Sequence, residues 1–235
     1  MAKSLLEGRV AVVTGGNSGI GRAVALALAA EGASVAVAAR RPEPCEEVAR
    51  LCREKGGEGS AIPTDVRREE ECERLIERAA AWRGRIDILV NSAGIGRFGP
   101  VASLSTADFR EMVETNLFGT FWCSRAAFPR IASVGGGLIC NVSSLAGVEA
   151  WAETGGYSAT KFGIVGLTRA LADEGRERGV KAVAICPALV ATPMTGVSGA
   201  EYLQPEDIAE TVLYLLRLSP AAWPAEILLK RRGAE

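Results

Sequence analysis

Short apolar runs alternate along this chain with amphipathic segments of helical period. The runs Val10–Val13, Ser34–Ala38 and Ile86–Val90 lack the polar alternation of a strand with one solvated face. Further along, the same rhythm predicts additional elements. They are helices over Ile20–Ala30, Glu46–Lys55, Arg68–Trp82, around Phe109–Ile131, about Tyr157–Arg176 and Glu206–Leu216, and strands over Leu138–Val142 and Val180–Ile185.

Strands that are apolar on both faces and separated by helices predict a parallel sheet, because parallel strands need crossover connections that cover the sheet. We therefore predict an α/β fold with a single Rossmann-type doubly wound parallel β-sheet of about seven strands and helices on both faces. With 235 residues, 48% of them hydrophobic, the chain suits one domain spanning residues 1–235. A segment rich in glycine, threonine and serine predicts a short, mobile substrate loop at about residues 188–204.

Charge and residue usage exclude several functions. The formal net charge of −1 gives no long-range field for polyanions, so we expect no nucleic-acid partner. We find neither a secretory pattern nor an apolar run near the roughly 20 residues of a membrane span, and expect a cytoplasmic protein without a membrane partner. The six cysteines form no C-x-x-C pair and histidine is absent, which predicts free thiols and no metal site. Without histidine, acid–base chemistry must use Tyr, Lys, Ser, Asn, Asp or Glu.

A glycine-rich segment joins the first predicted strand to the first predicted helix. Gly15, Gly19 and Gly21 let the backbone turn tightly and approach a ligand, and free N–H groups at the start of a helix attract phosphate. The strand-to-helix context favours a dinucleotide-binding loop. The alternative is a tight turn that binds nothing.

Two arginines follow the second predicted strand. In a doubly wound fold, a carboxylate at this position binds the ribose diol of the cofactor, whereas this strand ends in Arg40 and Arg41. Arginine attracts a 2′-phosphate, so the sequence favours NADP(H) over NAD(H), and Arg40 is the stronger candidate because it comes first. The alternative is a pair of solvated turn arginines.

Tyr157 and Lys161 are four residues apart on a predicted helix, and therefore lie on one face within reach of each other. A nearby ammonium is expected to lower the pKa of the phenol from its ordinary value near 10 towards the range useful for acid–base catalysis. The spacing alone also fits a packed tyrosine beside a solvated lysine.

Several motifs occur together and in one order. They are Thr14-Gly15-x-x-x-Gly19-Ile20-Gly21, Asn91-Ser92-Ala93-Gly94, Asn116, Asn141-Val142-Ser143-Ser144 and Tyr157-x-x-x-Lys161. In this order and spacing, they resemble the short-chain dehydrogenase/reductase family, from Gly8 to about Leu229.

The resemblance implies a catalytic set. Tyr157 would be the acid/base, and Lys161 would lower its pKa and bind the nicotinamide ribose. Ser144, thirteen residues before the tyrosine, would hydrogen-bond the substrate oxygen, while the neighbouring Ser143 would only support it. Asn116 would hold a water that links the lysine to solvent.

It also implies cofactor contacts beyond the glycine loop: Asp65 and Val66 at the adenine, a turn that walls the cofactor, and a segment facing the nicotinamide. The full predicted set is Gly15, Asn17, Ser18, Gly19, Ile20, Gly21, Arg40, Arg41, Asp65, Val66, Asn91, Ala93, Gly94, Tyr157, Lys161, Pro187, Val190 and Thr192.

The function implied is hydride transfer between NADP(H) and a carbonyl or alcohol substrate, of the carbonyl reductase type. A 3-oxoacyl-[acyl-carrier-protein] reductase and a non-enzymatic NADP(H)-binding sensor are the alternatives. Pro187-Ala188 and Asn91-Ser92 depart from the Pro-Gly and Asn-Asn of the family without removing a reacting group. The short 192–204 segment predicts an open pocket. The basic tail that ends the Glu226–Arg232 stretch is expected to be a solvated terminus, with a binding segment as the alternative. Family oligomers imply a homodimer or homotetramer.

Overall fold

The computed structural model describes residues 4–232, so residues 1–3 and 233–235 of the predicted domain lie outside the described residues. Its strands are β1 (Val10–Thr14), β2 (Ser34–Ala38), β3 (Glu58–Ala61), β4 (Ile88–Asn91), β5 (Gly137–Val142), β6 (Val180–Pro187) and β7 (Glu226–Leu229). They form one seven-stranded parallel sheet in the order β3-β2-β1-β4-β5-β6-β7. The predicted doubly wound parallel sheet is confirmed.

Seven α-helices connect and cover the strands: α1 (Gly19–Ala30), α2 (Pro42–Glu54), α3 (Glu69–Arg83), α4 (Thr106–Met112), α5 (Gly119–Ser133), α6 (Gly155–Gly175) and α7 (Pro205–Arg217). Two buried apolar clusters occupy the two faces of the sheet. Val13 packs with residues of α1, α2 and α7, whereas Val12 packs with residues of α3 and α5. Successive strand residues therefore face opposite layers, which explains why the strands are apolar without alternation.

The strand order reverses between β1 and β4. The chain runs outward from β1 through β2 to β3, then returns to β4 on the other side of β1 and continues outward to β7. At such a reversal, the loops after the two central strands diverge and leave a crevice at the carboxyl ends of the strands. This crevice is the position of the cleft described below.

Local sequence sets the bounds of several helices. α7 begins at Pro205, as predicted, with a capping box between Gln204 and Asp207 that satisfies the first N–H groups. α2 begins at Pro42, four residues before the predicted start, because proline also suits a first helical turn. Across residues 4–232, no helix combines the length and the apolar character needed to cross a membrane.

Three elements differ from the prediction. The pattern did not indicate the two edge strands, β3 and β7: each has only four residues, and the sequence of β3, Glu-Gly-Ser-Ala, is largely polar. The long helical segment predicted around Phe109–Ile131 is present over residues 106–133, but it includes a π-helical stretch, Val113–Phe118, between α4 and α5. The apolar period cannot show this extra residue per turn, and π-helical turns are often found at functional sites.

Candidate active site

A cleft of about 1000 Å³ lies at the carboxyl ends of the strands. The segments that follow β1, β2, β4, β5 and β6 all contribute to its walls. Most of the residues predicted from the sequence line it: Gly15, Asn17, Ser18, Gly19, Ile20, Arg40, Arg41, Asp65, Val66, Ala93, Gly94, Ser144, Tyr157, Lys161, Pro187, Val190 and Thr192.

Three predicted site residues lie behind this wall rather than on it: Gly21, Asn91 and Asn116. Asn91 is buried, and its side-chain amide donates to Ser124 Oγ at 3.0 Å and to Asn141 Oδ1 at 2.9 Å. These bonds tie β4 to α5 and β5. Gly21, Asn91 and Asn116 therefore lie behind the residues that line the cleft, where they can support them.

The glycine loop has the shape of an anion cradle. Gly15 and Gly19 have φ angles of 65° and 49°, a region that favours glycine, and a Cβ on Gly15 would lie 2.8 Å from the backbone nitrogen of Ala93. α1 starts at Gly19, and its N-cap residue Ser18 makes no side-chain capping hydrogen bond. The opening N–H groups of the helix are therefore available to a phosphate. This geometry fits the pyrophosphate of a dinucleotide.

The other end of the cleft carries several guanidinium groups. Arg40 and Arg41 are exposed at the tip of β2. Asp65 is bound by Arg67, with Nη2 2.7 Å from Oδ2 and Nε 3.0 Å from Oδ1, and this bonding holds the pKa of Asp65 below its usual value. Arg67, which the sequence analysis missed, thereby neutralises the only carboxylate that lines the cleft among residues 4–232. Arg40 and Arg41 remain as positive charges at this end.

Tyr157 lies in the first turn of α6, with its half-buried phenol facing the cleft. Burial raises the pKa of Tyr157 to about 12, although a hydrogen bond with the side chain of Ser144 acts in the lowering direction. The predicted lowering of this pKa by Lys161 is not found in this arrangement, because the effect of burial outweighs that of the Ser144 hydrogen bond. At neutral pH the phenol is protonated and can donate.

Lys161 lies one turn further along α6 and is 6% exposed. Its Nζ donates to the carbonyl oxygen of Val142 at 2.9 Å and lies 5.5 Å from the centroid of the Tyr157 ring. Burial lowers the pKa of Lys161 to about 8. The ammonium is thus close to the phenol, but its strongest contact is to the end of β5.

Two serines follow β5 and behave differently. Ser143 is buried, and its hydroxyl donates to the carbonyl oxygen of Lys161 at 3.0 Å, so it braces α6 from outside the reacting centre. Ser144 lines the cleft beside Tyr157, and its Oγ accepts from the backbone nitrogen of Ala146 at 3.1 Å. This N–H fixes the orientation of the hydroxyl next to the phenol.

Asn116 occupies the π-helical segment and is fully buried. Its Oδ1 accepts from the backbone nitrogen of Ile95 at 2.8 Å, and its Nδ2 donates to the carbonyl oxygen of Ile95 at 2.9 Å and to Thr160 Oγ1 at 3.1 Å. The side chain therefore fastens the turn after β4 to α6. It holds two walls of the cleft in register.

The segment 188–204 forms the last wall. Val190 and Leu203 form an isolated parallel bridge, and the Ala191 nitrogen donates to the Leu203 carbonyl oxygen at 2.8 Å. The two ends of the segment are therefore joined at its base. Further lining residues outside the predicted set include Phe98, Leu145, Trp151, Leu189, Met194 and Arg231. Leu189 and Met194 belong to the predicted substrate loop, whereas the others lie in segments that carry no recognisable motif.

Comparisons with known proteins agree with this geometry. The family model described as short chain dehydrogenase matches residues 9–202. The chain is 39% identical over 189 residues to a D-threitol dehydrogenase of Mycolicibacterium smegmatis, covering 80% of this chain and 73% of that protein. It is 35% identical over 229 residues to a 3-oxoacyl-[acyl-carrier-protein] reductase of Synechocystis, covering 93% of each.

Solved structures extend the likeness to the whole fold. An alcohol dehydrogenase from the archaeon Thermococcus sibiricus, complexed with 5-hydroxy-NADP, superposes with a TM-score of 0.91 at 32% identity, covering 97% of this chain and 98% of that one. A levodione reductase gives a TM-score of 0.89 at 30% identity, with 96% of each chain covered.

Proposed function

Because the chain belongs to the short-chain dehydrogenase family, and is thus an oxidoreductase of alcohol or carbonyl groups that binds a nicotinamide cofactor, we propose that it is an NADP(H)-dependent carbonyl reductase with Tyr157 as proton donor. The observation that carries the proposal is the convergence of Tyr157, Ser144 and Lys161 on one cleft, with the Lys161 ammonium 5.5 Å from the centroid of the phenol ring.

When bound, the cofactor supplies a hydride to the carbonyl carbon. Tyr157 holds a proton at its phenol oxygen at neutral pH and gives it to the carbonyl oxygen. Ser144 donates a hydrogen bond to the same oxygen as negative charge develops there. Lys161 places a positive charge near the phenolate that forms, which lowers the free energy of that state. In the reverse direction, Tyr157 accepts the proton of the alcohol.

The positive charge of the arginines at the tip of β2 supports a preference for NADP(H) over NAD(H). Arg40 and Arg41 are exposed at the tip of β2, and Arg67 pairs with Asp65, the only carboxylate that lines the cleft within residues 4–232. A 2′-phosphate brought to this end meets positive charge, and the carboxylate that lines the cleft there is already paired. The 5-hydroxy-NADP ligand of the Thermococcus sibiricus relative points the same way.

The 3-oxoacyl-[acyl-carrier-protein] reductase activity is the second candidate. It is favoured by the Synechocystis relative, whose similarity extends over 93% of both chains. A panel that contains both simple carbonyl compounds and acyl thioesters separates the two candidates.

We further propose that the enzyme is a cytoplasmic homodimer or homotetramer. The six buried cysteines are free thiols, which suits a reducing compartment.

The assembly is supported by four phenylalanines on or beside α4, α5 and α6. Each is 40–44% exposed, which favours burial against a second copy; they are Phe109, Phe118, Phe121 and Phe162. Sedimentation equilibrium of the purified protein tests the assembly, and a monomer at micromolar concentration would contradict it.

The central test combines binding with turnover. NADPH and NADH are titrated by fluorescence, and oxidation of the reduced cofactor is followed by absorbance with ketones, aldehydes and acetoacetyl thioesters. We expect tighter binding of NADPH and turnover of at least one carbonyl. Tyr157→Phe is expected to bind NADPH normally and lose about 10²–10⁴-fold in kcat. Wild-type activity in this variant contradicts the assigned proton donor, and tight binding without any turnover favours the cofactor-binding sensor.

A further inference from the structure

Several large apolar side chains and one arginine line the substrate side of the cleft. Beyond Tyr157 its walls carry the large apolar side chains Phe98, Leu145, Trp151, Leu189 and Met194. Trp151, Leu189 and Met194 are each about half exposed, so they face open space. The arginine is Arg231, the only charged side chain that lines this side apart from Lys161 in the described residues.

The end of β7 brings Arg231 to this position. The Ala188 nitrogen donates to the Leu229 carbonyl oxygen at 2.8 Å, so the chain that leaves β7 runs beside the segment carrying Leu189. The next residue, Lys230, pairs with Glu149 at 3.4 Å. Residue 231 is therefore held at the cleft from its N-terminal side.

The side chain of Arg231 has its own anchor. Its guanidinium carbon lies 5.5 Å from the centroid of the Tyr202 ring, at the far end of the 188–204 segment. Stacking on an aromatic face orients a guanidinium. Its N–H groups point outward in the plane of the guanidinium and stay free to donate. Arg231 thus closes one side of the cleft against Tyr202 without using its donors.

No carboxylate pairs with Arg231 within residues 4–232, although the neighbouring Lys230 has such a partner. The one carboxylate that lines the cleft, Asp65, is at the opposite end and is bound by Arg67. A guanidinium oriented over an aromatic ring, beside apolar walls and with no carboxylate partner in the part of the chain that the structure describes, is suited to a planar anion such as carboxylate.

We propose that Arg231 forms an anion subsite and that the substrate is an amphipathic carbonyl compound, with an apolar body and a carboxylate or phosphate at the end remote from the carbonyl. This inference rests on the reductase function proposed above. The apolar body lies against Trp151, Leu189 and Met194 while the carbonyl oxygen meets Tyr157. Arg231 acts on binding and leaves the proton transfer to Tyr157.

The test uses matched charged and uncharged substrates. A homologous series of oxo acids is compared with their methyl esters, and with the corresponding acyl-coenzyme A thioesters to distinguish a carboxylate from a phosphate source. For the wild-type protein we expect kcat/KM of the best anionic compound to exceed that of its neutral match by roughly 10- to 100-fold, the range of a charge-assisted hydrogen bond. High salt should reduce this ratio.

Arg231→Ala should lower kcat/KM for the acid much more than for the ester and so remove the preference, whereas Arg231→Lys should keep part of it. Arg232→Ala, which alters an exposed arginine outside the cleft lining, is the matched control and should keep the full preference. The dissociation constant of NADPH should be the same in all variants. Equal kcat/KM for acids and esters in the wild type, or an Arg231→Ala variant that weakens NADPH as much as it weakens the acid, overturns the subsite.

Failure of the reductase proposal has a different signature. If no carbonyl is turned over, calorimetric titration of the NADPH complex with octanoate still reports on Arg231. Binding that is lost in Arg231→Ala and retained in Arg232→Ala supports the subsite, whereas absent or unchanged binding overturns it.

Discussion

Lys161 donates its short hydrogen bond to the carbonyl oxygen of Val142, at 2.9 Å, and reaches the Tyr157 ring only at 5.5 Å. The lysine is thereby anchored to the last residue of β5, one residue before the two serines of the cleft. Because it is buried, its pKa falls to about 8, while burial raises the pKa of Tyr157 to about 12. Burial therefore shifts the pKa of Lys161 below its ordinary value and the pKa of Tyr157 above its ordinary value.

The first prediction concerns pH. Since the pKa of Lys161 is about 8 in the free protein, its positive charge is present below that pH and is lost above it. That charge favours both the cofactor phosphates and the forming phenolate. We expect kcat/KM for NADPH, which reports the free enzyme, to be level below pH 7 and to fall about tenfold per pH unit well above pH 8.

Lys181 provides a matched control for this pH profile. Its pKa is also lowered by burial, but its Nζ donates to the Ser219 carbonyl oxygen, away from the cleft. Lys181→Met should retain the alkaline decline, and Lys161→Met should lose it together with most of the activity. A wild-type profile that stays level to pH 10 contradicts the role given to Lys161.

The second prediction concerns cofactor choice. Arg40→Ala should raise the dissociation constant of NADPH by about 10- to 100-fold, because a charge-assisted contact to the 2′-phosphate is lost, and should change that of NADH less than about twofold. Fluorescence titration of both cofactors measures the effect. Arg22→Ala, on an exposed position of α1 outside the cleft lining, is the control and should change neither. Equal losses for NADPH and NADH contradict the 2′-phosphate assignment.

The sequence predicted the parts of the fold that arise from local periodicity. Val12 and Val13 point to opposite apolar layers, so an uninterrupted apolar run was sufficient to indicate a doubly covered strand. β3 escaped because an edge strand needs few apolar residues, and the π-helical segment at Asn116 escaped because one extra residue in a turn hardly changes the apolar period.

In the cleft, too, the residues that the sequence predicted are those marked by a local pattern. Gly15, Tyr157 and Lys161 were found because their chemistry depends on spacing within one segment. Arg67 and Arg231 were not. The importance of Arg67 depends on its pairing with Asp65, which no periodic pattern shows, and that of Arg231 depends on Tyr202, which is distant in sequence. A charge at a loop or chain end carries no local pattern that distinguishes it from a solvated residue.

The third prediction concerns Asn116. Its side chain makes three hydrogen bonds that fasten Ile95 to Thr160. Asn116→Ala leaves the partly buried N–H and carbonyl groups of Ile95 without these partners, which should lower the free energy of unfolding by about 1–3 kcal/mol. We also expect a fall in kcat that exceeds any rise in KM for NADPH, because Thr160 adjoins Lys161. Urea denaturation and steady-state kinetics measure the two effects, and an unchanged kcat with lowered stability reduces Asn116 to a purely structural role.

The last prediction concerns Gly21, which lies behind the cleft. A Cβ at this position would overlap the carbonyl oxygen of Gly15, so Gly21→Ala must displace the loop that approaches the cofactor. Steric conflicts of this kind cost about 1–3 kcal/mol, which corresponds to a fall of roughly 2–12 °C in Tm for a domain of this size. NADPH should bind at least about tenfold more weakly, because the displaced backbone no longer presents its N–H groups to the pyrophosphate. Thermal unfolding and NADPH titration test both effects, with Arg22→Ala again as the variant on the same helix that should leave affinity unchanged. If Gly21→Ala lowers Tm but binds NADPH normally, the close approach of α1 to the loop serves only packing, and the cradle does not depend on it.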